Sequence, residues 1–280
     1  EGTRVSIGRG TSGMLSDPND LALVLLFPLS FSLAYVTAPR VGLLSRLLGI
    51  GGSAIVLWAI LATQSRGGLL GLAAVLAVFS SRFFKSRVLL LAIGLSAALA
   101  LFTLDNIAGR SSGGAAEEGL DDSANGRLDA WKAAVRMAET HPLTGVGLNN
   151  FSPIFFYYTD HWAGHDMAVH STWFGLLAET GPIGLGLFIT LVTMTVRRAI
   201  RTRTLLRERR RAGGAFDPEI DALAHAIVAG LAGFIVSGSF LTQAYNWPIY
   251  ILVALTLAMS RFCEAGIFDE LTPPEDAHVA

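Results

Sequence analysis

Four ionisable side chains stand where their types and spacing would do chemistry: Arg66, Arg127, His170 and Glu179. Arg66, His170 and Glu179 lie beside or inside a long apolar run, where a charge is costly and tends to be functional, and Arg127 lies on the expected outer face. Arg66 stands in Gln64-Ser65-Arg66-Gly67-Gly68, at a hairpin tip or near a helix start. Its guanidinium is a planar donor fork that matches phosphate oxygens, and Gly67 and Gly68 would let another backbone or a ligand come close. The plainer account is an arginine that snorkels to the interface. Arg127 stands in Ser123-Ala124-Asn125-Gly126-Arg127-Leu128-Asp129-Ala130-Trp131. Asn125 or Ser123 would cap a helix that runs to Thr140 and stops at His141-Pro142. Leu128, Trp131, Val135 and Ala138 would form its apolar face, with Arg127 on the edge of that face one turn before Trp131. Such a helix lies on the membrane surface or packs on the bundle, and Arg127 is otherwise an ordinary flank charge.

His170, in Val169-His170-Ser171-Thr172-Trp173, opens an apolar run. The positive end of a helix dipole there disfavours the imidazolium, leaving a neutral imidazole that can act as a base near pH 7. As a plainer alternative it anchors the interface beside Trp173. His161 and His165 are nearby, but their irregular spacing does not put two ligands one helical turn apart, so no metal site is expected. Glu179 lies inside the same run, just ahead of Gly181-Pro182. A straight helix would place it on the face opposite His170, and the Gly-Pro pair is expected to kink that helix. Glu179 reads as a structural acceptor, one that orients an arginine. Gly67, Gly68, Trp131 and Glu179 are the expected substrate-lining residues beside the two arginines.

The elements that must position these residues are membrane helices. The chain has 280 residues, 52% hydrophobic and 15% charged, with a mean hydropathy of +0.51. A soluble domain carries about 25% charged residues, so a soluble enzyme is excluded. Crossing ~30 Å of hydrocarbon takes a helix of about 20 apolar residues. Seven runs qualify: 21–38, 47–63, 69–80, 88–104, 172–196, 222–241 and 248–260. The third and the last are short and would extend into their flanks or thin the bilayer. The runs are rich in Leu, Ala and Gly and do not alternate, which excludes strands. No internal repeat is visible.

Numbering the sides alternately divides the 21 Lys and Arg unevenly. One side holds Arg40, Arg46, Arg82, Lys85, Arg87, Arg261 and the eight arginines between Arg197 and Arg211. The other holds Arg4, Arg9, Arg66, Arg110, Arg127, Lys132 and Arg136. The rich side is expected to be cytoplasmic. The expected division is an outer-face loop 1–20, four transmembrane helices over 21–104, and a periplasmic loop 105–169 with the amphipathic helix. Three more helices follow over 170–262, joined by a basic cytoplasmic loop 197–212, and a cytoplasmic tail 263–280 closes the chain. The eight arginines would set topology, or bind anionic lipid or a cytoplasmic partner. A start without Met or leader suggests the C-terminal part of a longer protein. The net charge of −1 argues against a nucleic-acid partner. Cys263, the one cysteine, leaves no internal disulfide and no cysteine-based metal site.

In order and placement, these pieces resemble the Wzy/WaaL superfamily of O-antigen ligases and polymerases. The resemblance rests on Ser65-Arg66-Gly67-Gly68, Gly126-Arg127 with Trp131, Thr144-Gly145-Val146-Gly147-Leu148-Asn149-Asn150-Phe151, His170-Ser171-Thr172-Trp173 and Leu177-Ala178-Glu179-Thr180-Gly181. It covers about 63–196, with the flanks matching in hydropathy only. The opening Gly13-Met14-Leu15-Ser16-Asp17-Pro18-Asn19-Asp20-Leu21 is similar to the putative O-glycosylation ligases associated with exosortase systems. The resemblance implies an all-α membrane bundle of the type-C glycosyltransferase kind, in the bacterial cytoplasmic membrane with its site facing the periplasm. It implies inverting transfer of a glycan from a polyprenyl diphosphate carrier to a hydroxyl of a lipid A core, protein or polysaccharide, with no metal and no cofactor. The family's two functional arginines and its histidine fall on Arg66, Arg127 and His170. A polymerase of the same superfamily, or a transporter or flippase of lipid-linked anions, are the alternatives.

Overall fold

The computed structural model describes residues 5, 7, 15–39, 41–81, 120–160, 162, 164, 167–214 and 217–265, with backbone only over 120–125. Every regular element among them is helical: α1 Pro18–Thr37, α2 Leu43–Ala62, α3 Arg66–Ser80, α4 Leu120–Thr140, α5 Phe151–Ile154 with a 3-10 turn Phe155–Tyr157, α6 Thr172–Arg211, α7 Pro218–Gly238 and α8 Trp247–Glu264. α1, α2, α6, α7 and α8 are long and apolar enough to cross a membrane, and α3 is a shorter apolar helix of 15 residues. The chain is an all-α integral membrane protein. The apolar run 88–104, the stretch 105–119, His161, His165 and the tail 266–280 lie outside the described residues.

The helices begin where their sequences say they should. Asp17 accepts the Asn19 N–H at 2.8 Å ahead of Pro18, and Asp217 accepts the Glu219 N–H at 2.7 Å ahead of Pro218. Each pairing of an acidic cap with proline at the first helical position satisfies or removes an orphan donor. α1, α3 and α7 pack together around Leu23, Leu26, Leu72, Val75, Leu231 and Phe234. Small residues let these backbones close: a Cβ on Gly71 would lie 2.9 Å from the Ser237 Cβ and 3.1 Å from the Gly233 carbonyl. Close backbone approach is the main source of helix association where lipid removes the hydrophobic drive. α2 packs chiefly on α1 and turns Leu44, Leu47, Leu48, Ile55 and Trp58 outward.

α6 is two helices. Gly181 has φ 68° and ψ −175°, and Pro182 follows it. The Trp173 and Phe188 ring centroids are 5.9 Å apart. Fifteen residues of straight helix would separate them by about 22 Å along the axis. The short segment before Gly181 therefore folds towards the long one after it, and the straight helix assumed for His170 and Glu179 does not exist. Nor is the basic segment 197–212 a loop: α6 continues through it to Arg211. Arg, Leu and Glu are strong helix formers, no Gly or Pro interrupts them before Gly213, and cations suit a helix C-terminus. Arg198 braces this extension to α8 through Ser260 (2.8 Å) and Glu264 (3.1 Å).

α4 also departs from expectation. It is helical from Leu120, ahead of both expected caps. Its buried face is Ala130, Ala133, Ala134, Met137 and Ala138, packed on Phe151, Phe155, Val169 and Ala178, while Leu128 and Val135 are exposed. An alanine face allows closer packing than the larger side chains would, so the small residues take the interface. One end of the bundle, poor in arginine, gathers the starts of α1, α3, α6 and α8 and the ends of α2 and α7. The other gathers the arginine-rich end of α6, the start of α7 and the end of α8.

Candidate active site

The turn from α2 to α3 is wound tightly by its own hydroxyls. Thr63 donates to the Ile60 carbonyl at 2.6 Å and accepts the Ser65 N–H at 3.3 Å. Gln64 sits in the left-handed region, with φ 51°. Ser65, fully buried, caps α3 by accepting the Gly68 N–H at 3.1 Å. Arg66 is then the first residue of α3, half-buried at the arginine-poor end. Gly67 and Gly68 are both buried against protein: a Cβ would lie 3.4 Å from that of Phe240 and 2.5 Å from that of Ala22, respectively. The close approach they permit here is to Phe240, just past α7, and to Ala22 of α1.

The start of α6 repeats this design. His170 sits in the left-handed region, with φ 46°. A non-glycine residue there is strained by roughly 1–3 kcal/mol and persists only where its surroundings impose it. Ser171, buried, caps the helix through the Phe174 N–H at 3.5 Å. Thr172 donates to the Leu241 carbonyl at 2.6 Å and accepts the Gln243 N–H at 3.1 Å. Trp173 donates to the Ser239 hydroxyl at 2.9 Å. On the other side, Trp131 of α4 donates its indole N–H to the Val169 carbonyl at 3.1 Å and stacks on Phe174 at 5.0 Å. Trp131 thus clamps α4 to the strap that carries His170. Arg127, one turn earlier and half-buried, belongs to the same unit. Trp131 holds that unit together, a structural task beside the ligand contact expected of it.

Both starts meet the segment joining α7 to α8. Gly67 abuts Phe240 and Leu241, and Thr172 is bonded to Leu241 and Gln243. α1 reaches the same place: Asp20, its third residue, accepts the Gln243 amide at 2.5 Å, and Gln243 accepts from Asn246 at 3.0 Å. The N-termini of α1, α3 and α6 therefore converge on residues 240–243. The α3 and α6 starts each carry about half a positive charge and so, together with Arg66, favour an anion at this end, while the α1 start brings the carboxylates of Asp17 and Asp20.

Glu179 lies elsewhere. It is at the far end of the short α6 segment, about 10 Å along the axis from its start. Its carboxylate is buried, accepts the Phe151 N–H at 3.3 Å and faces the Tyr245 hydroxyl. Burial first, and then the Glu179 carboxylate, holds that phenol above its ordinary value. No arginine is bonded to Glu179 among the described residues. The segment containing Thr144 and Phe151 serves the same junction: Val146 and Gly147 donate N–H groups to the Ala178 (2.8 Å) and Glu179 (3.0 Å) carbonyls that the helix break would orphan. Gly145 (φ 64°) and Gly181 (φ 68°) lie back to back, and a Cβ on Gly181 would come within 2.6 Å of the Leu143 carbonyl. Glu179 is thus part of a lock on the helix break.

The sequence model of the O-antigen ligase family matches residues 51–189, from the middle of α2 to just past the break in α6. The chain belongs to the O-antigen ligase and polymerase superfamily. The matched stretch holds Arg66, Arg127, His170 and Glu179. No curated protein matches the chain. Asp20, Gln243 and Tyr245 fall outside the match, and Thr172 falls inside it; the sequence offers Asp20 and Thr172 only as members of longer motifs, and Gln243 and Tyr245 not at all. Asp20 carried a weak signal, as a carboxylate at the mouth of an apolar run.

Proposed function

We propose that the chain is a membrane glycosyltransferase that moves a glycan from a polyprenyl diphosphate carrier to a hydroxyl acceptor at the arginine-poor end, the periplasmic face of the bacterial cytoplasmic membrane. The convergence on one point of the α3 start, which carries Arg66, and the α6 start, which follows His170, is the observation that carries this reading. A carrier of this class leaves its tail in the bilayer and its diphosphate at the interface, where such a point would receive it. The acceptor oxygen attacks the anomeric carbon, the bond from that carbon to the diphosphate oxygen breaks, and the electron pair leaves with the diphosphate. Arg66 and Arg127 stabilise the charge that builds there, the kind of fixed electrostatic help that contributes most to such steps. His170 takes the hydroxyl proton, and direct displacement inverts the anomeric centre.

The test is transfer in lipid nanodiscs from a polyprenyl diphosphate-linked glycan to a panel of hydroxyl acceptors, in EDTA, followed by mass spectrometry. Acceptor-dependent release of polyprenyl diphosphate is expected, and in His170→Ala it should fall by at least about 100-fold, the scale of lost general-base catalysis. Undiminished transfer by a well-inserted His170→Ala variant removes the role of His170. A single transfer per acceptor marks a ligase, and a ladder of lengths marks a polymerase.

A further inference from the structure

The polar chain from α1 to α6 crosses the centre without being part of it. Asp20 accepts the side-chain amide of Gln243 at 2.5 Å. Gln243 is fully buried, and its backbone N–H donates to the Thr172 hydroxyl at 3.1 Å, which itself donates to the Leu241 carbonyl at 2.6 Å. Thr172 is the first residue of α6 and lies two residues after His170. A buried amide with both its polar ends engaged has no alternative partner in water, so each bond in the chain fixes the next. His170 is held at a strained φ of 46°, which needs a rigid neighbour on each side. Trp131 supplies one through Val169. We propose that Asp20 supplies the other: it is a positioning residue that holds the His170-bearing start of α6 in place through Gln243 and Thr172. This rests on the glycosyltransferase reading for its effect on rate, and on the bonds alone for its effect on structure.

The role asks for an acceptor at Asp20, not for a charge. Asp20→Ala removes the acceptor, Asp20→Asn keeps an oxygen that can take the Gln243 amide, and Gln243→Leu cuts the chain at its middle. All are to be compared with the wild type in nanodiscs, by transfer kinetics and by hydrogen exchange over 169–175. Asp20→Ala and Gln243→Leu should lower kcat at least tenfold with the donor KM within twofold, and should speed exchange at 169–175. Asp20→Asn should keep at least half the wild-type kcat. A wild-type kcat in Asp20→Ala overturns the proposal, and so does an Asp20→Asn variant as slow as Asp20→Ala, which would assign the charge itself to the reaction. Should Asp20→Ala fail to insert, Gln243→Leu and Asp20→Asn carry the same comparison. A wild type that transfers nothing defeats the glycosyltransferase reading instead. Exchange at 169–175 then decides the tether alone, and an unchanged rate in Gln243→Leu overturns it.

Discussion

The starts of α3 and α6 are built alike and braced differently. In each, a residue with positive φ precedes a buried serine cap: Gln64 (φ 51°) before Ser65, and His170 (φ 46°) before Ser171. At α3 the candidate group, Arg66, follows the cap and sits on the helix. At α6 the candidate group, His170, precedes the cap and is itself the strained residue. α3 is held by backbone packing, with Gly67 and Gly68 pressed on α7 and α1. α6 is held by side-chain bonds to distant segments, from Thr172, Trp173 and Trp131. A guanidinium neutralises charge over several ångströms and needs only a firm base. A proton acceptor must meet one hydroxyl at hydrogen-bond distance, so its orientation has to be imposed.

The α3 brace predicts the largest stability effect. A Cβ on Gly68 would lie 2.5 Å from the Ala22 Cβ, and neither atom can turn away. Gly68→Ala should lower stability by about 1–3 kcal/mol through overpacking. Gly67→Ala meets Phe240 at an ordinary 3.4 Å, and should be neutral or gain up to about 1 kcal/mol from helix propensity. Thermal unfolding of the two variants in the same detergent checks this; equal losses would mean that packing at Gly68 does not brace α3.

At α6 the strain predicts a separation of stability from activity. His170→Gly relieves a left-handed backbone that costs an L-residue about 1–2 kcal/mol. It should raise the unfolding temperature while abolishing transfer. A variant less stable than wild type would mean that contacts of the imidazole outweigh the backbone strain.

These braces also mark how far the sequence could be read. Hydropathy finds α1, α2, α7 and α8 to within a few residues, because a membrane helix must satisfy its own backbone. It cannot see that α6 runs on to Arg211, since it measures solvent preference and the arginines change solvent without changing conformation. Two of the four residues expected on the α4 face, Trp131 and Ala138, lie on it, while Leu128 and Val135 do not, because tight packing chose smaller residues. Placing Arg66 and His170 at the ends of apolar runs needs only local sequence. Joining Asp20 to Gln243 needs a contact across 223 positions, between two polar residues that carry no motif together.

The smallest effect separates the two starts most cleanly. Gln64 pays the same kind of backbone strain as His170, with φ 51°, yet no chemistry is assigned to it. The turn around it is closed by the hydroxyls of Thr63 and Ser65. Gln64→Gly should therefore relieve strain at α3 as His170→Gly does at α6. Its gain should be no more than about 1 kcal/mol, since glycine also gains freedom in the unfolded chain. Transfer should stay within twofold of wild type. If the rate falls tenfold instead, the side chain of Gln64 belongs to the site beside Arg66, and the two helix starts each present a left-handed residue to the substrate.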